Sequence, residues 1–157
     1  MPILQVETRI RASAQACFDA SRNIDLHMAS TPGSNEKAIG GVTSGLISLH
    51  EEVTWDATHF GVRQQLTSRI TEFNPPHHFR DTMVRGIFAH FEHDHYFYEQ
   101  QDGSTLMVDT FDYASPLGAL GRLADWLFLK NYLQRFLAQR GRLLKEHLEA
   151  LADNSVP

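Results

Sequence analysis

Apolar and polar residues alternate from Ile3 to Arg11, with Leu4, Val6, Thr8 and Ile10 on one side and Ile3 and Gln5 on the other. A period of two predicts a strand. Ser13 then stands at an N-cap position ahead of "AQACFDASRN", which reads as a short helix. "IDLHMAS" reads as a second short helix, closed by Pro32 and Gly33. The stretch "GSNEKAIGGVTSG" shows no clear period and reads as a flexible loop or lid. It lacks the Gly-Lys-Ser/Thr of a phosphate-binding loop, and no buried strand precedes it.

Alternation resumes further on. Val53, Trp55 and Ala57 oppose Glu52, Thr54 and Asp56, and Leu66, Ser68 and Ile70 oppose Thr67 and Arg69. A tight turn at Phe60-Gly61 pairs Trp55 with Leu66, Val53 with Ser68 and Glu52 with Arg69, so both faces agree on one register. "FRDTMVRG" starts another strand with Phe79, Asp81 and Met83 on one face. "FAHFEHDHYFYE" and "STLMVDTFDYA" then form a hairpin through "QQDGS", with Gly103 at the left-handed position. That turn sets His95 opposite Asp109, Phe97 opposite Met107, His93 opposite Phe111 and Phe91 opposite Tyr113, all on one face. His90, Glu92, Asp94, Tyr96, Thr110 and Asp112 share the other, wetted face.

From Ser115, a cap followed by Pro116 at the first helical position, the pattern changes to helical spacing. Leu120, Ala124, Leu127, Leu133, Phe136, Leu137, Leu144, Leu148 and Leu151 form a stripe, with Arg135, Arg142 and Lys145 on a solvated face. Gly141 inside this helix implies a bend or a close backbone contact. Length and composition alter the picture little. With 157 residues, 42% hydrophobic and 21% charged, one domain spanning residues 1–157 is expected, the last few residues forming a flexible tail. The net charge of -5 argues against a nucleic-acid partner. Cys17 is the only cysteine, which excludes an internal disulfide and a cysteine-based zinc site. No signal peptide or bilayer-length apolar run is visible, so a cytoplasmic protein without stable membrane insertion is expected.

The chemistry is concentrated on the hairpin. His93 and His95 project to one side, with Glu99 at a spacing similar to that of cupin metal ligands. That signature's second histidine is missing after Gly118 and a long terminal helix does not suit a cupin, so no metal site and no cofactor are expected. His95 beside Asp109 has the form of a general base with an orienting carboxylate, but no serine or cysteine nucleophile accompanies it.

The segments "IDLH", "GVTSGLISL", "EEVTWDATHFG", "FRDTMVRG", "FEHDHYF" and "YASPLGALGRL", in this order, resemble the START-like or SRPBCC superfamily, most closely its polyketide cyclase/dehydrase-like ligand-binding branch. The resemblance implies an α+β helix-grip fold, a curved antiparallel sheet wrapped around a long C-terminal helix with two short helices after the first strand. It also implies an internal apolar cavity for a hydrophobic small molecule. An unpaired buried polar group costs about 1–3 kcal/mol, so His93, His95 and Asp109 on one inner face fit the lining of a partly wet cavity better than a dry core.

The expected ligand-binding residues are Trp55, His59, Phe91, His93, His95, Phe97, Met107, Asp109, Phe111, Tyr113 and Phe136, with His27 and Asp81 as further residues within reach. Two functions follow: carriage of a hydrophobic or aromatic molecule, or a cyclase/dehydratase reaction with His95 as base oriented by Asp109. "ADWLFLKNYL", apolar on more than one side, suits a homodimer contact or a cavity entrance.

Overall fold

Seven strands form one antiparallel sheet in the computed structural model, which describes residues 2–154. In chain order they are β1 (Ile3–Ile10), β2 (Lys37–Gly41), β3 (Glu52–His59), β4 (Val62–Asn74), β5 (His78–Arg85), β6 (His90–Glu99) and β7 (Thr105–Ala114). Their spatial order is β1-β7-β6-β5-β4-β3-β2. Two short helices, α1 (Ala14–Ser21) and α2 (Ile24–Ala29), follow β1. The chain ends in α3 (Gly118–Ala124), a π-helical segment Asp125–Leu129, and α4 (Lys130–Asp153). This is the α+β helix-grip architecture that the sequence implies. The tail expected at the C-terminus lies outside the described residues.

Local chemistry fixes these elements. The Ser13 hydroxyl accepts from Ala16 N at 3.2 Å, and the Asn23 side chain accepts from Leu26 N at 3.0 Å, so both short helices are capped. The β3–β4 register has Trp55 opposite Leu66, Val53 opposite Ser68 and Glu52 opposite Arg69, and the last pair forms an ion pair. Phe60 and Gly61 turn the chain with φ of 52° and 73°, the two left-handed residues of a tight hairpin turn. In the β6–β7 hairpin His95 faces Asp109 and Phe97 faces Met107, with Gly103 at φ 79°. Both hairpin registers are those the alternation predicts.

Three expectations are corrected. Lys37–Gly41 is an edge strand on β3, bulged between Ala38 and Gly40, rather than a lid. The loop that follows it is tied to α2: Gly45 N donates to Asp25 Oδ2 at 2.9 Å and Ile24 N donates to Gly45 O at 2.9 Å. Second, the terminal helix starts at Gly118, with Leu117 left-handed at φ 66° and no side-chain cap, so Ser115 and Pro116 precede it. The π-helical segment takes about one extra residue into its turn, a rotation of about 100°. The apolar stripe therefore fails across it: Leu120 and Leu127 are exposed, as is Leu151 near the far end, while Leu133, Leu137, Leu144 and Leu148 are buried. Each of those four contributes roughly 1.5–3 kcal/mol. Third, Asp94 on the outer face is buried, because Arg80 grips both its oxygens at 2.8 and 3.0 Å and His78 Nε2 lies 2.7 Å away.

The core is in two parts. Cys17 and Phe18 of α1 pack with Ile10, Phe97, Met107 and Leu144. Leu4, Val6, Phe91, Phe111, Tyr113, Leu133 and Leu137 form a second cluster. Gly141 lets α4 meet β1, since a Cβ there would lie 2.5 Å from Thr8 Oγ1. That is the close contact its place in the helix implies.

Gly41 has φ +69°, and a Cβ on it would lie 2.1 Å from Glu52 O. Gly103 has a similar φ with nothing near. Gly103→Ala should cost about 1 kcal/mol from backbone conformation alone. Gly41→Ala should cost clearly more, read as a larger drop in urea midpoint, and equal losses would show that β2 yields freely.

Candidate functional site

A cavity of about 410 Å³ lies between the sheet and the terminal helices. Pockets for small molecules usually measure roughly 300–1,000 Å³. Trp55, His59, Phe91, His93, His95, Phe111 and Phe136, all expected from the sequence, line it, as do His27 and Asp81. Phe97, Met107, Asp109 and Tyr113 do not: they are buried behind the wall. Phe97 and Met107 belong to the cluster under α1, and Tyr113 packs against Phe88 and Phe111. An inward-facing position on a strongly curved sheet supplies core as well as cavity wall.

The first polar group sits on the central strands. His93 Nε2 lies 3.1 Å from Asp109 Oδ1 and His95 Nδ1 lies 2.7 Å from the same oxygen, the latter off the line a hydrogen bond requires. Asp109 thus serves both rings, where the strand register suggests His95 alone. Asp81 Oδ1 on β5 lies 3.7 Å from His93 Nδ1 and 3.5 Å from His95 Nε2. Arg140 approaches from α4, with Nη1 3.7 Å from Asp109 Oδ1 and Nη2 donating to Ser21 O at 2.9 Å.

Burial pushes the Asp109 carboxyl up, but the His93 hydrogen bond, the close approach of His95 and the charges of both rings outweigh it, leaving Asp109 far below the usual carboxylate range. Burial raises Asp81 too, and His95, His93 and Arg140 overcome it, so its carboxyl is also held low. The rings divide. Burial and the neighbouring His95 lower His93, whereas at His95 burial loses to the two carboxylates and the pKa rises.

A second polar group lies across β4, at α2 and β3. Glu36 is largely buried, with Oε2 2.7 Å from His27 Nε2 and Oε1 4.0 Å from His59 Nε2. The His27 ring stacks on Trp55 at 4.2 Å, and His59 Nδ1 lies 2.6 Å from the Tyr132 hydroxyl. Burial raises Glu36 but its histidine neighbours overcome that and hold it low. Burial lowers His59. Between α3 and the β3–β4 turn the cavity opens: Phe60 packs on Phe128 and Tyr132 at 5.4 and 4.4 Å, and Leu117 and Leu120 line the cavity while remaining exposed. Trp126 beside them is 78% exposed.

Glu36 and Arg140 are absent from the sequence reading. Arg140 left a signal there: it stands three residues after Leu137 and four before Leu144, a charge on the apolar stripe. Glu36 left none, because it lies in the stretch read as a loop. Glu99, the third acid considered with the histidines, is exposed at the end of β6, and Asp81 takes the place beside them.

Compared with protein-family models and with curated proteins, the sequence matches none. Its fold is widely shared. Protein TTHA0849 from Thermus thermophilus superposes with a TM-score of 0.78 at 16% identity, over 96% of this chain and 99% of that one. A START superfamily protein from Mycobacterium smegmatis gives 0.72 at 15% identity, over 95% and 98%. The ZhuI aromatase/cyclase from Streptomyces sp. R1128 gives 0.66 at 11% identity, over 90% and 93%. The fold is that of the START-like, SRPBCC proteins. Among the described residues no helix is long and apolar enough to cross a membrane.

Glu36 has a depressed pKa, so the stability it contributes is present above the ordinary glutamate pKa of about 4.3 and is lost as pH falls through its folded value. Glu36→Gln should cost about 1.5–3 kcal/mol at neutral pH, as for a hydrogen bond to a charged group. The difference from wild type should vanish in acid, where Glu36 is protonated in both folded and unfolded chains. Denaturation midpoints at several pH values measure it, and a penalty independent of pH would contradict the ion-pair account.

Proposed function

We propose that the protein is a cytoplasmic binding or carrier protein for a largely apolar, aromatic-rich small molecule held between the sheet and the terminal helices. The observation that carries the reading is the cavity itself, about 410 Å³, with aromatic walls and two separate polar groups. Trp55, Phe91 and Phe111 offer flat apolar surface, while the His93–His95–Asp81 and Glu36–His59–Tyr132 groups can each take a hydrogen-bonding substituent. A ligand with oxygen functions set apart on a rigid apolar frame fits this lining better than a plain fatty chain. The fold likeness to a START superfamily protein and to an aromatase/cyclase supports the same ligand class. The exposed apolar ridge at α3 then serves as the lip of the mouth, and a homodimer is not required.

A second reading is a cyclase or dehydratase in which His95 acts as base and Asp109 orients it. One observation favours it: His95 faces the cavity while its Nδ1 stands 2.7 Å from Asp109. Product formation from a polyketide-like substrate, lost in His95→Gln while binding persists, distinguishes an enzyme from a carrier.

An environment-sensitive aromatic dye should bind saturably at one site per chain. Ser68→Trp, which fills the cavity from β4 at an overpacking cost of about 1–3 kcal/mol, should abolish that binding while the protein remains folded. Unchanged dye affinity in Ser68→Trp would sink the proposal. Phe60→Ala, which removes the ring bridging the mouth, should speed dye association and release together and leave the affinity nearly constant. Stopped-flow fluorescence reads both rates, and a change in affinity alone would place Phe60 in the binding surface.

A further inference from the structure

Asp109 fixes which nitrogen each histidine turns to the cavity. An ionised carboxylate only accepts, so the ring nitrogens beside it, His93 Nε2 and His95 Nδ1, are the ones that carry hydrogen. When both rings are neutral, His93 Nδ1 and His95 Nε2 remain as lone-pair donors, and both turn to Asp81 Oδ1 at 3.7 and 3.5 Å. Asp81 Oδ1 is buried without a hydrogen-bond partner. One ligand atom from each of the three residues falls within 4.8 Å of the others. Electron pairs so arranged in a buried place call for positive charge between them, which a proton on His95 or a metal cation supplies.

The geometry points to a divalent transition-metal site on Asp81, His93 and His95, with its remaining position open to the cavity. Zinc at about 2.0–2.2 Å from nitrogen and oxygen donors in a tetrahedron separates its ligand atoms by roughly 3.3–3.5 Å, close to the spacing between Asp81 and the two rings. Two imidazoles and one carboxylate suit zinc or iron(II) and not calcium or magnesium. All three residues stand on paired strands, with Asp81 directly opposite His93, so the donors are held by the sheet. Asp109 completes the arrangement, for ligating histidines usually give their other nitrogen to a carboxylate that sets ring orientation. Charge agrees as well. With both rings neutral, as metal ligation requires, Asp81 and Asp109 outweigh Arg140 by one, so a dication carrying hydroxide or an anionic ligand oxygen neutralises the buried group. The open position would take water, or an enolate, phenolate or carboxylate oxygen of a cavity ligand. The site rests on these side chains alone and stands or falls separately from the ligand reading. It reverses the expectation of no metal, because the carboxylate partner is Asp81 from the neighbouring strand.

The full chain, prepared without a histidine tag and stripped with chelator, should be titrated with cobalt(II). One equivalent should bind with the intense visible bands of a four- or five-coordinate ion, and one equivalent of zinc should displace it. Asp81→Asn and His95→Gln, both close in size to the originals, should each lose stoichiometric binding while near-ultraviolet circular dichroism shows a folded protein. Asp109→Asn should weaken binding about 10–100-fold, and His77→Gln, at an exposed histidine, should leave it unchanged. Should the variants not fold, the wild-type cobalt protein must still show two paramagnetically shifted imidazole rings. Absence of stoichiometric binding, binding that survives Asp81→Asn, or fewer than two shifted rings overturns the proposal.

Discussion

A carboxylate at the centre of the sheet must be answered, and much of the molecule answers Asp109. It is 1% exposed and stays ionised, so the surroundings have to supply hydrogen and positive charge. His93 and His95 come from the paired strand, and Arg140 comes from the one helix long enough to cross the sheet. The guanidinium could not reach this depth if α4 stood further off, and Gly141, the next residue, removes the side chain that would hold it off. One buried charge therefore ties helix position to strand register. Breaking such a group by removing one partner is far costlier than never building it, about 3–5 kcal/mol for a buried pair.

The cavity is shared by both parts of the core. Phe18, Phe97, Met107 and Leu144 lie away from the cavity, whereas Phe91, Phe111, Leu133 and Leu137 of the second cluster border it together with Ile24, Ile47, Val53 and Phe79 of the first. The cavity runs from Ser21 at the end of α1 to Phe128 and Leu129, so one set of apolar residues serves both packing and lining.

Much of this was legible in the sequence, and the limits are instructive. The two hairpins could be read to the residue, because the period of two and the turn chemistry at Phe60-Gly61 and Gly103 are local and agree with each other. Facing was legible too, so His93, His95, Trp55 and Phe111 were expected on the inner side. Depth was not. Whether Phe97 or Phe91 borders the cavity depends on where α1 lands, a long-range fact that no strand pattern carries. Edge strand β2 hid behind its glycines, which serve a bulge and a close approach to Glu52 in place of a loop. Glu36 was lost with it. The pairing of Asp81 with the histidines joins two strands whose relative register the sequence does not set.

The two sides of the cavity mouth differ mechanically. On the sheet side, a two-residue turn joins β3 and β4 and leaves no slack; Phe60 even accepts the left-handed conformation unfavourable to a bulky side chain. On the helix side, the backbone passes through a π-helical segment whose wider turn interrupts the regular ladder. A jaw works when one half is stiff and the other compliant. By that measure, a force that widened the mouth would fall first on Asp125–Leu129, where the ladder is interrupted, while the hairpin kept its shape.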